Sequence, residues 1–175
     1  IFSLFKHLAS LNKIEGLGLF LELSSHGLHQ ERLNMLDYEK VCIANIGSDH
    51  LDYHQTQEDY ERSKLSILDL SQRSIPLVNY DVLEVIKKHK IKDYKMQTFS
   101  DMQEKSDFLF RILPGEIDGY DVEISELEQS KSIKFNTNLF PKFNITNLCT
   151  AIVMLKNNLI NLNINKEVQN IALPK

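Results

Sequence analysis

The sequence predicts an α/β fold in which a mostly parallel sheet is flanked by helices. Residues 16–23 and 41–46 are apolar on both faces, as strands inside a parallel sheet are. Residues 75–79 form a third short apolar run, and a helical pattern follows it at residues 82–89. Such alternation of strands and helices is typical of parallel sheets with helices packed on their faces.

The first elements of the chain place two polar segments at one edge of that sheet. Apolar residues at helical spacing predict an opening amphipathic helix over the first dozen residues: Phe2, Phe5, Leu8 and Leu11. The first strand carries Glu22 near its carboxyl end and stops at residues 24–27, and the second stops at residues 47–50. We expect these segments to lie side by side, because α/β proteins place ligand sites at the carboxyl ends of strands. A charged helix over residues 57–70 then carries Lys64.

The second half of the chain changes character. Between about residues 93 and 136, strand-like runs separated by turn residues predict a small antiparallel sub-sheet: 108–113, 120–124 and 132–135. A last long helix is predicted over residues 145–157, with Asn144 as a candidate N-cap. Its predicted inward face consists of Leu148, Ala151, Ile152 and Leu155. A shorter helical pattern occupies residues 165–172.

Composition and charge narrow the class of protein. With 175 residues, 42% of them apolar and 25% charged, the chain is long enough for one domain with a core. A formal net charge of −4 without a run of Lys or Arg argues against nucleic-acid binding. The apolar stretches are far below the roughly 20 residues that span a bilayer, so no membrane insertion is expected. Only Cys42 and Cys149 are available for a disulfide, and no leader-like segment is seen, so a reducing cytoplasm is expected.

Four blocks of sequence carry a resemblance to a known family. They are Leu-Glu-Leu-Ser-Ser-His-Gly-Leu at 21–28, Asp-His-Leu-Asp-Tyr-His at 49–54, Tyr-x-x-x-Lys at 60–64 and Phe-Asn-Ile-Thr-Asn-Leu at 143–148. In this order the blocks resemble the Mur ligases, and the resemblance runs over residues 1–174. The Ser-Ser-His-Gly-Leu block favours the branch that extends a UDP-N-acetylmuramoyl-dipeptide. The resemblance implies that residues 1–175 are part of the family's central, ATP-binding domain.

The resemblance also implies parts that this sequence does not contain. The family's Gly-rich phosphate loop precedes the helix that opens this chain, and no Gly-x-x-x-x-Gly-Lys pattern occurs here. The family's N-terminal and C-terminal domains are missing as well. Loss of the phosphate-loop strand from a P-loop-type domain would leave unpaired strand edges. We therefore expect a fragment that is inactive alone and prone to aggregation.

The activity that the resemblance implies is ATP-dependent amide-bond formation. A carboxylate takes the γ-phosphoryl group of ATP to become an acyl phosphate, and an incoming amine then displaces phosphate. In this branch the acceptor is UDP-N-acetylmuramoyl-L-Ala-D-Glu, and the amine belongs to the third amino acid of the peptidoglycan precursor, meso-diaminopimelate or lysine. Mg²⁺ is implied because negative charge crowds around the transferring group. The expected oligomeric state is a monomer.

The catalytic candidates come from matching this sequence to the family residue by residue. Glu22 and His50 match the family's magnesium contacts, direct or through water. Lys64 matches its carbamylated lysine. A carbamate replaces the cation of lysine with an anion, so it supports a metal that an ammonium group would repel.

The resemblance implies substrate contacts at five further residues. Ser24, Gln30 and Arg32 match positions that hold the UDP-sugar dipeptide, and Arg can bind a carboxylate or phosphate through two parallel hydrogen bonds. Asn144 and Asn147 match residues near the adenine, where side-chain amides both donate and accept.

Taken one at a time, the same residues have plainer interpretations. Glu22, Arg32 and Lys64 would be solvated surface charges, and Asn144 and Asn147 would cap a helix. We interpret two further histidines as hydrogen-bonded structural residues: His26 and His54. His50 and His54 have the spacing of a zinc pair, but Leu51 replaces the Glu of the zinc-protease motif.

Alternative functions remain open. A folylpolyglutamate synthetase-like ligase shares the architecture, although the Ser-Ser-His-Gly-Leu block and Arg32 argue against it. A non-catalytic relative that binds a nucleotide or a UDP-sugar would keep the shape of the site without its chemistry. A metal-dependent hydrolase built on residues 49–54 is weaker, because no second ligand group with suitable spacing accompanies them.

Overall fold

The computed structural model describes residues 21–32, 34–71, 74–91, 94–115 and 119–155. Within these ranges six strands form one sheet with the spatial order β1-β2-β3-β4-β5-β6. The strands are β1 (Cys42–Ile43), β2 (Leu77–Asn79), β3 (Gln97–Ser100), β4 (Phe108–Pro114), β5 (Tyr120–Glu126) and β6 (Lys131–Thr137). Neighbouring strands from β1 to β4 are parallel, whereas β4, β5 and β6 pair antiparallel. The predicted fold class is confirmed.

The described helices connect and cover these strands. They are α1 (Ser25–His29), α2 (Leu51–His54), α3 (Gln57–Leu65), α4 (Leu83–Lys88) and α5 (Lys142–Leu155). A 3-10 helix at Ser66–Leu70 continues α3, and another at Tyr80–Val82 leads into α4. The predicted helices over residues 57–70 and 82–89 are therefore confirmed. Within the described ranges, no helix has both the length and the apolar composition needed to cross a membrane.

Helices pack on both faces of the parallel part of the sheet. Successive residues of β2 point to opposite faces, so that Leu77 packs with α5 and Val78 packs with α3 and α4. The core on the α5 side includes Phe99, Phe110, Phe135, Ile145 and Cys149. The core on the other side includes Ile43, Leu65, Leu68, Val82 and Ile86. This burial on both faces explains why residues 41–43 and 77–78 are apolar.

The antiparallel part of the sheet has one buried and one exposed face. Val122 and Ile124 of β5 are buried in the core under α5. On the other face, Arg111, Glu123 and Lys134 stand in cross-strand register, and the Glu123 carboxylate lies 3.7 Å from Arg111 and 3.5 Å from Lys134. This alternation is typical of antiparallel strands with one solvated face.

The structure differs from the sequence prediction in two places. The prediction of an antiparallel sub-sheet over residues 93–136 is wrong for β3, which pairs in parallel with both neighbours. The prediction of Asn144 as an N-cap is also wrong, because α5 begins at Lys142 and the Asn144 side chain donates to the Phe140 carbonyl at 3.0 Å. The buried face of α5 consists of Ile145, Cys149, Thr150, Ile152 and Val153. Of its predicted inward residues only Ile152 is fully buried, whereas three are partly exposed: Leu148, Ala151 and Leu155.

Some predictions fall on residues outside the described ranges. These are the opening helix, residues 16–20 of the first predicted strand, residues 156–157 of the last long helix and the helical pattern at 165–172. Residues 21–24, which include the end of the first predicted strand, have no regular secondary structure.

Candidate active site

The two serines that follow the first predicted strand have different structural roles. Ser24 is the N-cap of α1, because its Oγ accepts a hydrogen bond from the Gly27 backbone N–H at 3.1 Å. Ser25 is the first residue of α1, and only 1% of it is exposed. The local sequence thus begins the helix with one serine and anchors it with the other.

His54 holds Ser25 in place. Its Nε2 lies 2.9 Å from the Ser25 Oγ, and its Nδ1 lies 3.5 Å from the Ser63 Oγ, so one buried imidazole connects α1, α2 and α3. Burial lowers the pKa of His54, and the positive charge of its histidine neighbours lowers it further. Those neighbours are His26, His29 and His50. The interpretation of His54 as a hydrogen-bonded structural histidine agrees with this geometry.

The two predicted polar segments are in contact through their histidines. The ring centroids of His26 and His50 are 4.8 Å apart, and the rings meet edge to face. The His26 ring also lies 4.0 Å from that of Tyr53. Residues 24–27 and 47–50 therefore lie side by side, as expected from the sequence. The His26 side chain is thus in contact, through its ring, with those of His50 and Tyr53.

His50 is held with its ring partly exposed. Its backbone is left-handed, with φ of 56°, and its N–H donates to the Asp49 Oδ1 at 2.7 Å. The His50 Nε2 lies 3.6 Å from the Asp49 Oδ2, and 45% of the side chain is exposed. A left-handed residue other than glycine costs free energy and persists only where its surroundings hold it, and such residues cluster at functional sites. Because nearly half of the side chain is exposed, the ring is accessible to a ligand.

Gln30 and Arg32 form one polar group with Tyr53. The Arg32 Nε donates to the Gln30 Oε1 at 2.7 Å, and the Gln30 Nε2 donates to the Tyr53 hydroxyl at 2.8 Å. The Tyr53 hydroxyl also lies 3.0 Å from the His29 Nδ1. The structure therefore brings two of the three predicted UDP-sugar contacts together, whereas the side chain of the third, Ser24, caps α1.

Glu22 lies outside any helix or strand, whereas Lys64 lies on α3. Glu22 is exposed and lies two residues before the Ser24 cap. Lys64 lies in the last turn of α3 and is half-buried. Within the described part of the chain its side chain has no hydrogen bond or ion pair.

The donor groups of these residues suit an open magnesium site. Among the residues that the structure describes, no three His, Cys, Asp or Glu side chains form a closed metal-binding cluster. Mg²⁺ commonly keeps several waters and is bound through one or two carboxylates together with phosphate oxygens of the substrate. The exposed carboxylate of Glu22 can supply an oxygen ligand of that kind, and the partly exposed ring of His50 could contact such an ion through a bound water.

The two predicted adenine contacts lie one turn apart on α5. Asn144 is partly exposed and Asn147 is exposed, and residues three apart on a helix share a face. The Lys142 Nζ lies 2.8 Å from the Asp101 carboxylate, so the beginning of α5 is tied to the loop that follows β3. Both asparagines therefore lie near the edge where the parallel strands end, which is where nucleotides bind in α/β folds.

Several residues of the site were not predicted. Tyr53 lies inside the 49–54 block, and that block was the signal that could have indicated it. Ser63 lies next to Lys64, but a serine on a helix gives no signal of its own. Glu61 and His89 are in contact across 28 residues of sequence, and only tertiary packing brings them together.

Comparison with known proteins agrees with this architecture. A sheet covered by helices, with polar groups near the ends of its parallel strands, is typical of α/β domains that bind ligands at that edge. The Mur ligase middle domain family matches residues 3–155, and the chain belongs to this family.

Two curated relatives carry the same name. The UDP-N-acetylmuramoyl-L-alanyl-D-glutamate--2,6-diaminopimelate ligase of Wigglesworthia glossinidia brevipalpis is 31% identical over 140 residues, which is 77% of this chain and 28% of that ligase. The ligase of the same name from Aquifex aeolicus is 32% identical over 131 residues, which is 75% of this chain and 26% of that ligase. The chain thus spans less than a third of the length of these relatives.

Solved structures show the same fold. A structure of a UDP-N-acetylmuramoyl-L-alanyl-D-glutamate--2,6-diaminopimelate ligase superposes with a TM-score of 0.73 and 28% identity, covering 89% of this chain and 33% of that one. The MurF ligase of Thermotoga maritima in complex with ADP superposes with a TM-score of 0.61. It is 14% identical and covers 87% of this chain and 34% of that one, so it supports the fold alone.

Proposed function

We propose that this chain is the ATP-binding middle domain of a ligase that adds an amino acid to UDP-N-acetylmuramoyl-L-alanyl-D-glutamate in peptidoglycan synthesis. The observation that carries the proposal is the 4.8 Å contact between His26 and His50, which joins two family motifs at one edge of the sheet. The names of the relatives favour 2,6-diaminopimelate as the added amino acid, with lysine as the alternative. The ligase acts in the cytoplasm as a monomer.

Glu22, His50 and Lys64 are the proposed catalytic groups. Glu22 and His50 hold Mg²⁺, directly or through water, and the ion offsets the negative charge of the phosphates when it is bound. The Lys64 amine reacts with CO₂, so that a nitrogen–carbon bond forms and a proton is released. The resulting carbamate is an anion that supports the metal instead of repelling it.

Gln30, Arg32 and Ser24 are the proposed contacts to the UDP-sugar dipeptide. The Arg32 Nε donates to Gln30, which aims the terminal guanidinium nitrogens for a carboxylate or phosphate. The Ser24 Oγ accepts from Gly27, and its hydroxyl hydrogen can donate to the acceptor substrate. Arg32 thus supplies positive charge, Gln30 orients the Arg32 guanidinium, and Ser24 supplies a directional hydrogen bond.

Asn144 and Asn147 are the proposed contacts to the adenine of ATP. Their amides offer both donors and acceptors, which match the alternating donor and acceptor edge of that base. Asn147 is exposed, so its whole amide is accessible to the nucleotide.

A ligation assay tests the proposed function. The full-length product of the gene that encodes this chain is incubated with ATP, Mg²⁺, UDP-N-acetylmuramoyl-L-alanyl-D-glutamate and 2,6-diaminopimelate or lysine. We expect ADP, phosphate and the tripeptide product. Turnover with a folate acceptor and glutamate instead would establish the folylpolyglutamate synthetase-like alternative, and nucleotide or UDP-sugar binding without turnover would establish the non-catalytic one.

Two lysine variants test the proposed role of Lys64 in this assay. Lys64→Met should abolish ligation, because it removes the amine that forms the carbamate. Lys87→Met changes an exposed lysine that is paired with Glu84 on the surface, and should leave ligation unchanged. The 175-residue piece alone should be inactive, because its sequence has no phosphate-loop pattern. Equal activity of the two lysine variants would contradict the role of Lys64.

A further inference from the structure

A buried carboxylate joins α3 to the end of α4. The side chain of Glu61 is only 8% exposed, and its Oε2 accepts from the Lys88 Nζ and from the His89 Nε2, each at 2.7 Å. Its Oε1 accepts from the Gln57 Nε2 at 3.2 Å. A buried carboxylate with three donors is a fixed point of the structure, because each donor restricts its position.

Gln57 extends this group to the segment that carries His50. The same Gln57 Nε2 donates to the Gly47 carbonyl at 2.8 Å, so one amide group bridges Glu61 and the first residue of segment 47–50. The Gln57 Oε1 is buried without a hydrogen-bond partner among the described residues, as is the His89 Nδ1. Buried orphan atoms are uncommon and costly, so the bridge is held at the expense of stability.

The bridge connects the two parts of the proposed metal site. Gly47 lies three residues before His50, whose backbone is left-handed and donates its N–H to the Asp49 carboxylate. Glu61 lies one turn before Lys64 on α3. A displacement of segment 47–50 relative to α3 would therefore change the position of His50 relative to Lys64.

We propose that Gln57 and Glu61 are positioning residues that hold His50 and Lys64 in register around a common divalent cation. The inference rests on the proposed function, and it assigns to these residues no contact with substrate or metal. Glu61, which is held by Lys88 and His89 at the end of α4, accepts from the Gln57 amide and so fixes it. Gln57 in turn donates to the Gly47 carbonyl and fixes that residue.

The hydrogen bonds of Gln57 can be removed without breaking the contacts of Glu61 with Lys88 and His89. Lys88 and His89 hold Glu61 whether or not residue 57 carries an amide. Gln57→Met keeps the length of the side chain and removes both hydrogen bonds, and it also removes the buried orphan oxygen. We therefore expect Gln57→Met to fold with nearly the stability of the wild type.

A Mn²⁺ titration monitored by NMR tests the inference. The full-length product of the gene that encodes this chain is labelled with ¹³C in its histidine rings, and paramagnetic broadening of the His50 resonance is followed as Mn²⁺ alone is added. We expect the Mn²⁺ concentration for half-broadening to rise about tenfold in Gln57→Met, as for other residues that orient metal ligands. Glu61→Gln should show a rise in the same direction.

The control variant is Glu58→Gln. Glu58 is exposed on the same helix and pairs with Arg62, so its loss removes a charge without touching the bridge. Unchanged titration in Gln57→Met, or an equal rise in Glu58→Gln, would overturn the inference and leave the proposed function standing. A wild-type His50 resonance that Mn²⁺ does not broaden would contradict the proposed metal contact itself, and the inference would fall with it.

Discussion

The imidazole of His54 and the hydroxyl of Ser25 are both buried and lie 2.9 Å apart, although 29 residues separate them in the chain. This contact ties α1 to α2, and the 3.5 Å contact with Ser63 ties both helices to α3. Gln30 ends α1, His50 precedes α2 and Lys64 lies on α3, so the arrangement of these three groups depends on His54.

His54 should make the protein less stable at mildly acidic pH. Burial lowers its pKa below the ordinary value of 6.5, so the unfolded chain binds this proton more readily than the folded one. The stabilisation is complete above pH 6.5 and is lost as the pH falls through the folded-state pKa. Urea unfolding at a series of pH values should show this loss, and His54→Gln should reduce it. An identical pH dependence in His54→Gln would exclude His54 as its source.

Glu61 should govern a second, more acidic loss of stability. Burial alone would raise its pKa, but hydrogen bonds from Lys88, His89 and Gln57 outweigh burial and lower the pKa to about 2. The lowered pKa corresponds to about 3 kcal/mol at neutral pH, which is lost as the pH falls from the ordinary value of 4.5 towards 2.

The free energy of unfolding of Glu61→Gln tests this assignment. The variant should be about 3 kcal/mol less stable than the wild type at pH 7, and the difference should shrink below pH 4.5. Glu58→Gln removes only an exposed ion pair and should cost less than about 0.5 kcal/mol. Similar losses in the two variants would show that burial of Glu61 has no special effect.

Gln55→Gly should stabilise the protein. Gln55 ends α2 with φ of 62°, a conformation that glycine adopts without strain and other residues do not. We expect a gain of about 0.5–1 kcal/mol, measured by chemical unfolding, because the relief of strain exceeds the extra entropy of glycine. Gln55→Ala keeps the strain, so a gain of the same size in that variant would contradict the explanation.

Gly119→Ala should have the opposite effect. Gly119 has φ of +82°, and a Cβ at this position would meet the Asn138 Oδ1 and would lie 2.5 Å from the Thr137 carbonyl oxygen. The backbone oxygen cannot move aside, so we expect a loss of about 1–3 kcal/mol in thermal unfolding. Gly47→Ala serves as the control, because a Cβ there has nothing within 4 Å. Equal losses would mean that the clash at Gly119 is relieved.

The sequence predicted the elements whose pattern is local. The core residues of β1 and β2 are apolar and pack on both faces of the sheet, and the predicted neighbourhood of the two polar segments is seen in the contact of His26 with His50. It did not predict β3, whose residues are Gln97, Thr98, Phe99 and Ser100. The apolar signal there is weak. The strand is held in part by the Asp107 carboxylate, which directly precedes β4 and accepts from the Thr98 N–H at 2.6 Å.

Long-range ion pairs account for other features that the sequence did not predict. The beginning of α5 is set with the help of the contact between Lys142 and Asp101, which lie far apart in the chain. Glu61 and His89 likewise meet only when α3 and α4 pack on the sheet. No periodicity or spacing encodes such pairs, because each partner alone is an ordinary charged or polar residue on a helix.

Paramagnetic relaxation measures directly whether Glu22, His50 and Lys64 surround one divalent cation. The full-length protein is labelled with ¹³C in the Glu22 carboxyl and the His50 ring, and ¹³CO₂ supplies the carbamate carbon on Lys64. If the three groups share one ion, Mn²⁺ should broaden all three resonances over the same concentration range, and Lys64→Met should lack the carbamate signal. Broadening of only one resonance, or of the three at widely different Mn²⁺ concentrations, would contradict a common metal site.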